Sequence, residues 1–327
     1  MRSPSDLSPH RNPFVFVVGC PRSGTTLLQR MLDAHPWLAV SNDTHFIPRA
    51  IQHLLPDERN PPLTDDLVAR VRTYKRFYRL GLSDEAVAKA ARGAGAYRAF
   101  VCALYDAFAA KNDKLLGGEK TPDYVRRLPF LHALFPWARF VHIIRDGRDV
   151  ALSTLEWARE DKGPGKLPLW REDPVATCAL WWRRMVETGR RDGLELGSTR
   201  YYELRYEDLV ADPEARLRDV AAFLDLPFSA DMLTFHVGKT RRAPGLSAKA
   251  AWLPPTRGLR DWRTQMNAPA RALFEALAGD LLKALGYEPG VAVIPPETAA
   301  LAERRRRAWT QKKRPRPSPA TPTSLQA

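Results

Sequence analysis

Cysteine is scarce in this 327-residue chain: Cys20, Cys102 and Cys178 are three in number and widely separated. They form no Cys-x-x-Cys unit and no Cys/His cluster, which argues against a disulfide scaffold and against a zinc site. An odd count at this length fits a reducing compartment. Long hydrophobic runs are lacking too. The first one, FVFVV at Phe14–Val18, is five residues long, far short of a spanning segment or a secretory signal core. The residues before it, MRSPSDLSPHR, are polar and rich in Pro and Ser. The expectation is a soluble, cytoplasmic protein with no transmembrane segment and a flexible N-terminus over 1–12. Acidic charge is in deficit, with 37 Asp and Glu against 51 Lys and Arg and a net charge of +14. Such a balance favours anionic ligands or an acidic partner. Much of the excess lies in Arg304–Arg316, where eight residues are Lys or Arg. The plain reading is a solvated, basic, Pro-rich and disordered tail over 291–327, with no nucleic-acid partner. High Ala, Arg and Pro content points to a bacterial genome.

What is present is a regular alternation. Phe14–Val18 reads as a buried parallel strand, since β-branched and aromatic residues fill it without polar interruption. Gly19–Gly24 is turn-like. Apolar residues at 27, 28, 31 and 32 then mark a helix that His35-Pro36 ends. Three amphipathic stretches, Asp65–Leu80, Ser83–Ala91 and Ala96–Ala110, form a helical insertion or cap over 65–110. Leu115–Thr121 reads as a strand or turn, Asp123–Phe135 as a helix and Arg139–Ile144 (RFVHII) as a second buried strand. Helical patterns over Asp149–Glu160, Val175–Gly189, Pro213–Leu224 and Ala270–Leu285 follow, with a strand-like Arg200–Tyr206 between them. Gly238–Gly258 reads as a long basic loop. The fold class is α/β: a P-loop-like three-layer core, a parallel sheet flanked by helices, plus the helical insertion. The core domain spans 13–290.

The stretch Gly19–Gln29, GCPRSGTTLLQ, carries the first chemistry. A strand, a tight glycine turn and a helix start form a phosphate cradle from backbone N–H groups. Thr25 stands where a nucleotide-hydrolysing loop has its lysine, and that lysine serves γ-phosphoryl transfer. Arg22 offers replacement charge with a fork that takes two phosphate oxygens. Ser23, Gly24, Thr25 and Thr26 complete the loop. The strand at Arg139–Ile144 ends in Arg145-Asp146, arginine first, which reads as a second anion contact and not as a Mg²⁺ site.

Two such loops point to a donor with phosphate in two places. PRSGTT (Pro21–Thr26) and FVHIIRDGRDVALS resemble the two signatures of sulfotransferases that use 3′-phosphoadenosine 5′-phosphosulfate, in particular bacterial members related to the tyrosylprotein sulfotransferases. The resemblance covers roughly Phe14 to Tyr287. It implies that the first loop holds the 5′-phosphosulfate, and that Arg145 and Ser153 hold the 3′-phosphate. In SNDTHFIPR (Ser41–Arg49) it places the family's basic glutamate at Asp43, one methylene shorter. His45 is the alternative base. Lys120, in GEKTP, is implied to neutralise charge at the transferred group, a task shared with Arg22. Tyr206, in LRYEDL, and Trp262, in GLRDWR, are implied to approach the nucleotide. His142, Cys20 and the Trp181-Trp182 pair read as packing residues.

The implied activity is in-line transfer of a sulfuryl group to an acceptor hydroxyl or amine, with no metal required. Rival readings are a P-loop small-molecule kinase and a non-catalytic nucleotide-binding protein. The acceptor stays open among small molecules, glycans, lipids and peptides. Oligomeric state stays open as well, a homodimer among the options.

Overall fold

The computed structural model describes residues 11–52, 60–158, 163–167, 169–237 and 260–311. It divides into two compact units, one of Met1–Asp146 with Arg184–Leu259, the other of Gly147–Arg183 with Arg260–Ala327. The sequence pattern, which suggested one domain over 13–290, does not announce this division. The expected long loop at 238–258 lies outside the described residues, as does the N-terminal segment before Arg11.

The first unit is built on five parallel strands: β1 (Val15–Gly19), β2 (Leu38–Asn42), β3 (Leu116–Lys120), β4 (Arg139–Ile144) and β5 (Tyr201–Arg205). Their order across the sheet is β2-β3-β1-β4-β5. β1 is central, pairing with β3 on one side and with β4 on the other. The sheet is covered on both faces, so its strands carry little apolar–polar alternation. Val15 and Val17 face one core with Leu28, Met31, Val141, Ile143, Leu204 and Leu209. Phe16, one residue out of phase, faces the other side. There its ring stacks on Phe140 at 5.4 Å and lies 6.0 Å from Phe135. Burying side chains of this size stabilises the fold by about 1.5–3 kcal/mol each.

Sequence and structure differ at two places, and the expected insertion is present. β2, LAVSN, carries no strand signal strong enough to stand out, because it is short and ends in Ser41-Asn42. The single helix expected over Asp123–Phe135 is a 3-10 turn, Pro122–Arg126, followed by the helix Leu128–Leu134. The break falls at Arg127, with φ −135°. Leu128-Pro129 cannot continue a helix inward, since proline lacks the N–H and clashes with the preceding turn. The helical insertion is present as Asp65–Thr73, Asp84–Arg92 and Tyr97–Lys111, the first two capped by the side chains of Thr64 and Ser83.

In the second unit the basic tail needs correction. Pro296–Gln311 is a helix, with Ala302 and Trp309 buried. These lie seven residues apart, two turns along one helical face. The arginine run is not simply solvated. Arg305 pairs with Asp173 at 3.0 Å, and Arg306 donates to the Ala276 carbonyl at 2.6 Å. Residues 312–327, the remainder of the expected disordered tail, lie outside the described residues. Among the described residues no helix is long and apolar enough to cross a membrane. Because Trp309 is only 6% exposed, Trp309→Ala should cost about 3 kcal/mol in urea unfolding. A change below about 0.5 kcal/mol, the size of an ordinary surface substitution, would mean that the helix does not dock.

Candidate active site

In a parallel sheet every strand ends at the same edge, where the loops collect ligands. Here each loop at that edge carries a residue singled out in the sequence. Arg22–Thr26 follow β1, Asp43 and His45 follow β2, Lys120 closes β3, Arg145 follows β4 and Tyr206 follows β5.

The β1 loop leads into the helix Thr25–Asp33, whose N-cap is Gly24 in the left-handed region at φ 91°. No side chain caps this end, and its first turn has no acidic residue. The first N–H groups of such a helix therefore face outward with their partial positive charge. Ser23 Oγ is buried and has no hydrogen-bond partner among the described residues. A buried hydroxyl without a partner is costly, and it fits an anion's oxygen. Thr25 and Thr26 are buried beside it, whereas Arg22 is half-buried.

Lys120 ties three loops together. Its Nζ is 3.1 Å from an Asp43 carboxylate oxygen and 3.4 Å from the Thr26 hydroxyl, and it donates to the Asn42 side-chain oxygen. The Asp43 amide donates to the Lys120 carbonyl at 2.6 Å. A second cation, Arg79, lies 3.5 Å from the other Asp43 oxygen. Burial pushes the Asp43 carboxyl upward, but Lys120, His45 and Arg79 outweigh it and hold the group below the usual carboxylate range. Burial also pulls the Lys120 ammonium below its ordinary value, against the attraction of Asp43. His45 is lowered by burial and by Arg76, against Asp43, which favours the neutral imidazole at neutral pH. The His45 ring lies edge-on to Tyr124, centroids 6.3 Å apart.

Backbone strain marks the same place. Arg22, Asp43 and His45 have φ of 78°, 56° and 59°. Left-handed geometry is uncommon for residues other than glycine and gathers at functional sites.

On the far side of β1, Tyr206 connects the first loop to the fourth. Its ring presses against Gly24, where an added Cβ would sit 2.3 Å from Cδ2. The Arg145 guanidinium lies 4.3 Å from the centroid of the same ring. Glu207 accepts from the Asp146 amide at 2.9 Å. Tyr206 is thus packed as a platform between Gly24 and Arg145.

Ser153 and Trp262 belong to the second unit. Ser153 is buried on the helix Gly147–Ala158. Trp262 is 5% exposed, with the Arg148 guanidinium 3.5 Å from its ring centroid and Arg263 at 4.6 Å. Arg148 in turn pairs with Glu275 at 2.6 Å. The Trp262 ring is therefore engaged by its own neighbours. His142 packs as expected: burial and Arg190 push it down to about 3, and Nδ1 meets the Tyr201 hydroxyl at 2.6 Å.

Two residues of the site went unread in the sequence. Glu119, next to Lys120, is fully buried. Its carboxylate accepts from the Tyr105 hydroxyl at 2.7 Å, from the Thr44 amide and hydroxyl at 3.1 and 3.0 Å, and from Ser41 and Thr121. Arg79 comes from the helical insertion, where no motif surrounds it. The signal for Glu119 was available: a charged pair inside a strand must be partnered.

A glycine turn leading into an uncapped helix N-terminus at the central strand, with cations from the neighbouring loops, defines an α/β protein of the P-loop type. The chain belongs to the sulfotransferase family, whose model matches residues 13–230. It is 29% identical over 236 residues to protein-tyrosine sulfotransferase 1 of Danio rerio, covering 72% of this chain and 59% of that protein. To protein-tyrosine sulfotransferase 1 of Homo sapiens it is 30% identical over 237 residues, covering 72% and 57%. The chain thus spans little more than half the length of these curated relatives. The sulfotransferase domain from the curacin biosynthetic pathway shares the fold, with a TM-score of 0.58, 24% identity and coverage of 85% of this chain and 99% of that one.

Glu119→Gln should destabilise the protein by about 3 kcal/mol in urea unfolding, because a carboxamide brings N–H donors to a place where five donors already converge. An unchanged unfolding midpoint would show that the network is dispensable.

Proposed function

We propose that this protein transfers a sulfuryl group from 3′-phosphoadenosine 5′-phosphosulfate to an acceptor hydroxyl or amine. The observation that carries the reading is Lys120, whose ammonium joins the phosphate loop at Thr26 to the Asp43 carboxylate. The donor supplies an activated sulfur and a phosphate leaving group. Arg22, Ser23, Gly24, Thr25 and Thr26 bind its 5′ end, the helix N-terminus adding partial positive charge. Arg145, packed on Tyr206, binds the 3′-phosphate. Asp43 takes the acceptor's proton as the new S–O or S–N bond forms. The bond from sulfur to the 5′-phosphate oxygen breaks, and Lys120 and Arg22 stabilise the charge that collects there. His45 orients the loop beside the acceptor. Asp43 is favoured as base because it, and not His45, contacts the cation that reaches the phosphate loop.

The acceptor class is small molecule or peptide, approached past the helical insertion. A cytoplasmic setting, without metal, remains part of the proposal.

The test compares adenosine 3′,5′-bisphosphate with ADP and AMP by calorimetry. The bisphosphate should bind at least tenfold more tightly, a difference of about 1.4 kcal/mol. Equal affinity would sink the 3′-phosphate assignment, and an ADP preference with Mg²⁺ dependence would favour a kinase. Asp43→Asn should lower turnover about 10²–10⁴-fold, as expected for loss of a general base. Since Asp43 is held below the usual carboxylate range, activity should fall with acid only below that range. A limb that follows an imidazole and not a carboxylate, abolished by His45→Gln, would transfer the role to His45.

A further inference from the structure

Asp43 has two cationic neighbours with different commitments. Lys120 holds one carboxylate oxygen at 3.1 Å, but it also reaches Thr26 of the phosphate loop. Arg79 holds the other oxygen at 3.5 Å, and its Nη1 donates to the Asn42 carbonyl at 3.1 Å. Among the described residues, the hydrogen bonds and ion pairs of Arg79 reach Asn42 and Asp43. It is set on the short helix Phe77–Leu80 and is 12% exposed at its side chain, against 16% for Asp43. A guanidinium fork fixes orientation as well as charge. A single ammonium cannot serve a carboxylate and an incoming anion equally.

Resting on the function proposed above, we propose that Arg79 is a positioning residue for the transfer step: it retains the Asp43 carboxylate while Lys120 turns to the donor. In the donor-free protein two cations share Asp43. Once a polyanion fills the phosphate loop, Lys120 is drawn to it through the Thr26 side, and Asp43 becomes a stronger base. Arg79 then keeps the carboxylate from rotating away. The helical insertion so supplies a piece of the catalytic geometry as well as a wall. The titratable and charged groups that face Asp43 are Lys120 from β3, His45 from its own loop and Arg79 from the insertion. Behind them stand Glu119 beside Lys120 and Arg76 beside His45.

The experiment uses the full chain with carboxyl-labelled aspartate, following Asp43 by carbon-13 NMR across pH, with and without adenosine 3′,5′-bisphosphate. In Arg79→Gln the Asp43 midpoint should rise above wild type, and the rise should be larger with the nucleotide bound. Bisphosphate affinity should stay within about twofold, while kcat/KM for the acceptor falls about tenfold or more, as for a lost charged contact. Arg79→Lys should restore the midpoint and only part of the turnover. It also serves if the Gln variant does not fold. An Asp43 midpoint unmoved by Arg79→Gln overturns the proposal. So does a loss of bisphosphate affinity equal to the loss of kcat/KM, which would make Arg79 a donor ligand. If no acceptor is sulfated at all, the proposed function fails, and the NMR midpoint still decides whether Arg79 governs Asp43.

Discussion

The buried carboxylate of Glu119 is the constraint on which the site depends. It has hydroxyl and amide donors from Ser41, Thr44, Tyr105 and Thr121 around it. A charge taken out of water must be met this fully, or the group costs several kcal/mol. Glu119 and Lys120 are consecutive in β3, so their side chains leave opposite faces of the sheet. One gathers the turn after β2 from the side of the helix Tyr97–Lys111. The other gathers the same turn, and the phosphate loop, from the side of the helix Thr25–Asp33. The strained turn bearing Asp43 and His45 is clamped between two charges of opposite sign.

That clamp explains why an unusual backbone persists. Left-handed conformations at Asp43 and His45 carry a cost of order 1–3 kcal/mol each, and persist only where surroundings over-determine them. The Asp43 amide is fixed by the Lys120 carbonyl, and the Thr44 amide by Glu119. β3 therefore supplies main-chain acceptor, side-chain acceptor and cation to one turn. Its own closeness to the core is permitted by Gly117, where a Cβ would sit 2.6 Å from the Tyr105 carbonyl oxygen.

Much of this was legible in the residues. β1 and β4 are apolar runs with no competing pattern, and the glycine turn between Gly19 and Gly24 breaks the strand period into the helical one. β2 was not legible, because LAVSN is five residues long and ends in Ser41 and Asn42, whose partners Glu119 and Lys120 each lie seventy-eight positions away. Arg79 was illegible for a related reason: a lone arginine in an amphipathic stretch looks solvated until its partner is known. The helix at Pro296–Gln311 was hidden by its charge. Four successive arginines read as a tail, yet two of them are satisfied by Asp173 and by the Ala276 carbonyl. Local composition cannot report such distant acceptors.

Tyr206 has a consequence of another kind. Its ring fills the gap between Gly24, at the mouth of the first loop, and the guanidinium of Arg145. The spacing between the first loop and the Arg145 guanidinium is then set by the thickness of an aromatic ring and not by the flexibility of two loops. The ring acts as a gauge block. On the function proposed above, the donor is selected by the span between its charges, and glycine is the one residue at position 24 that lets the ring seat.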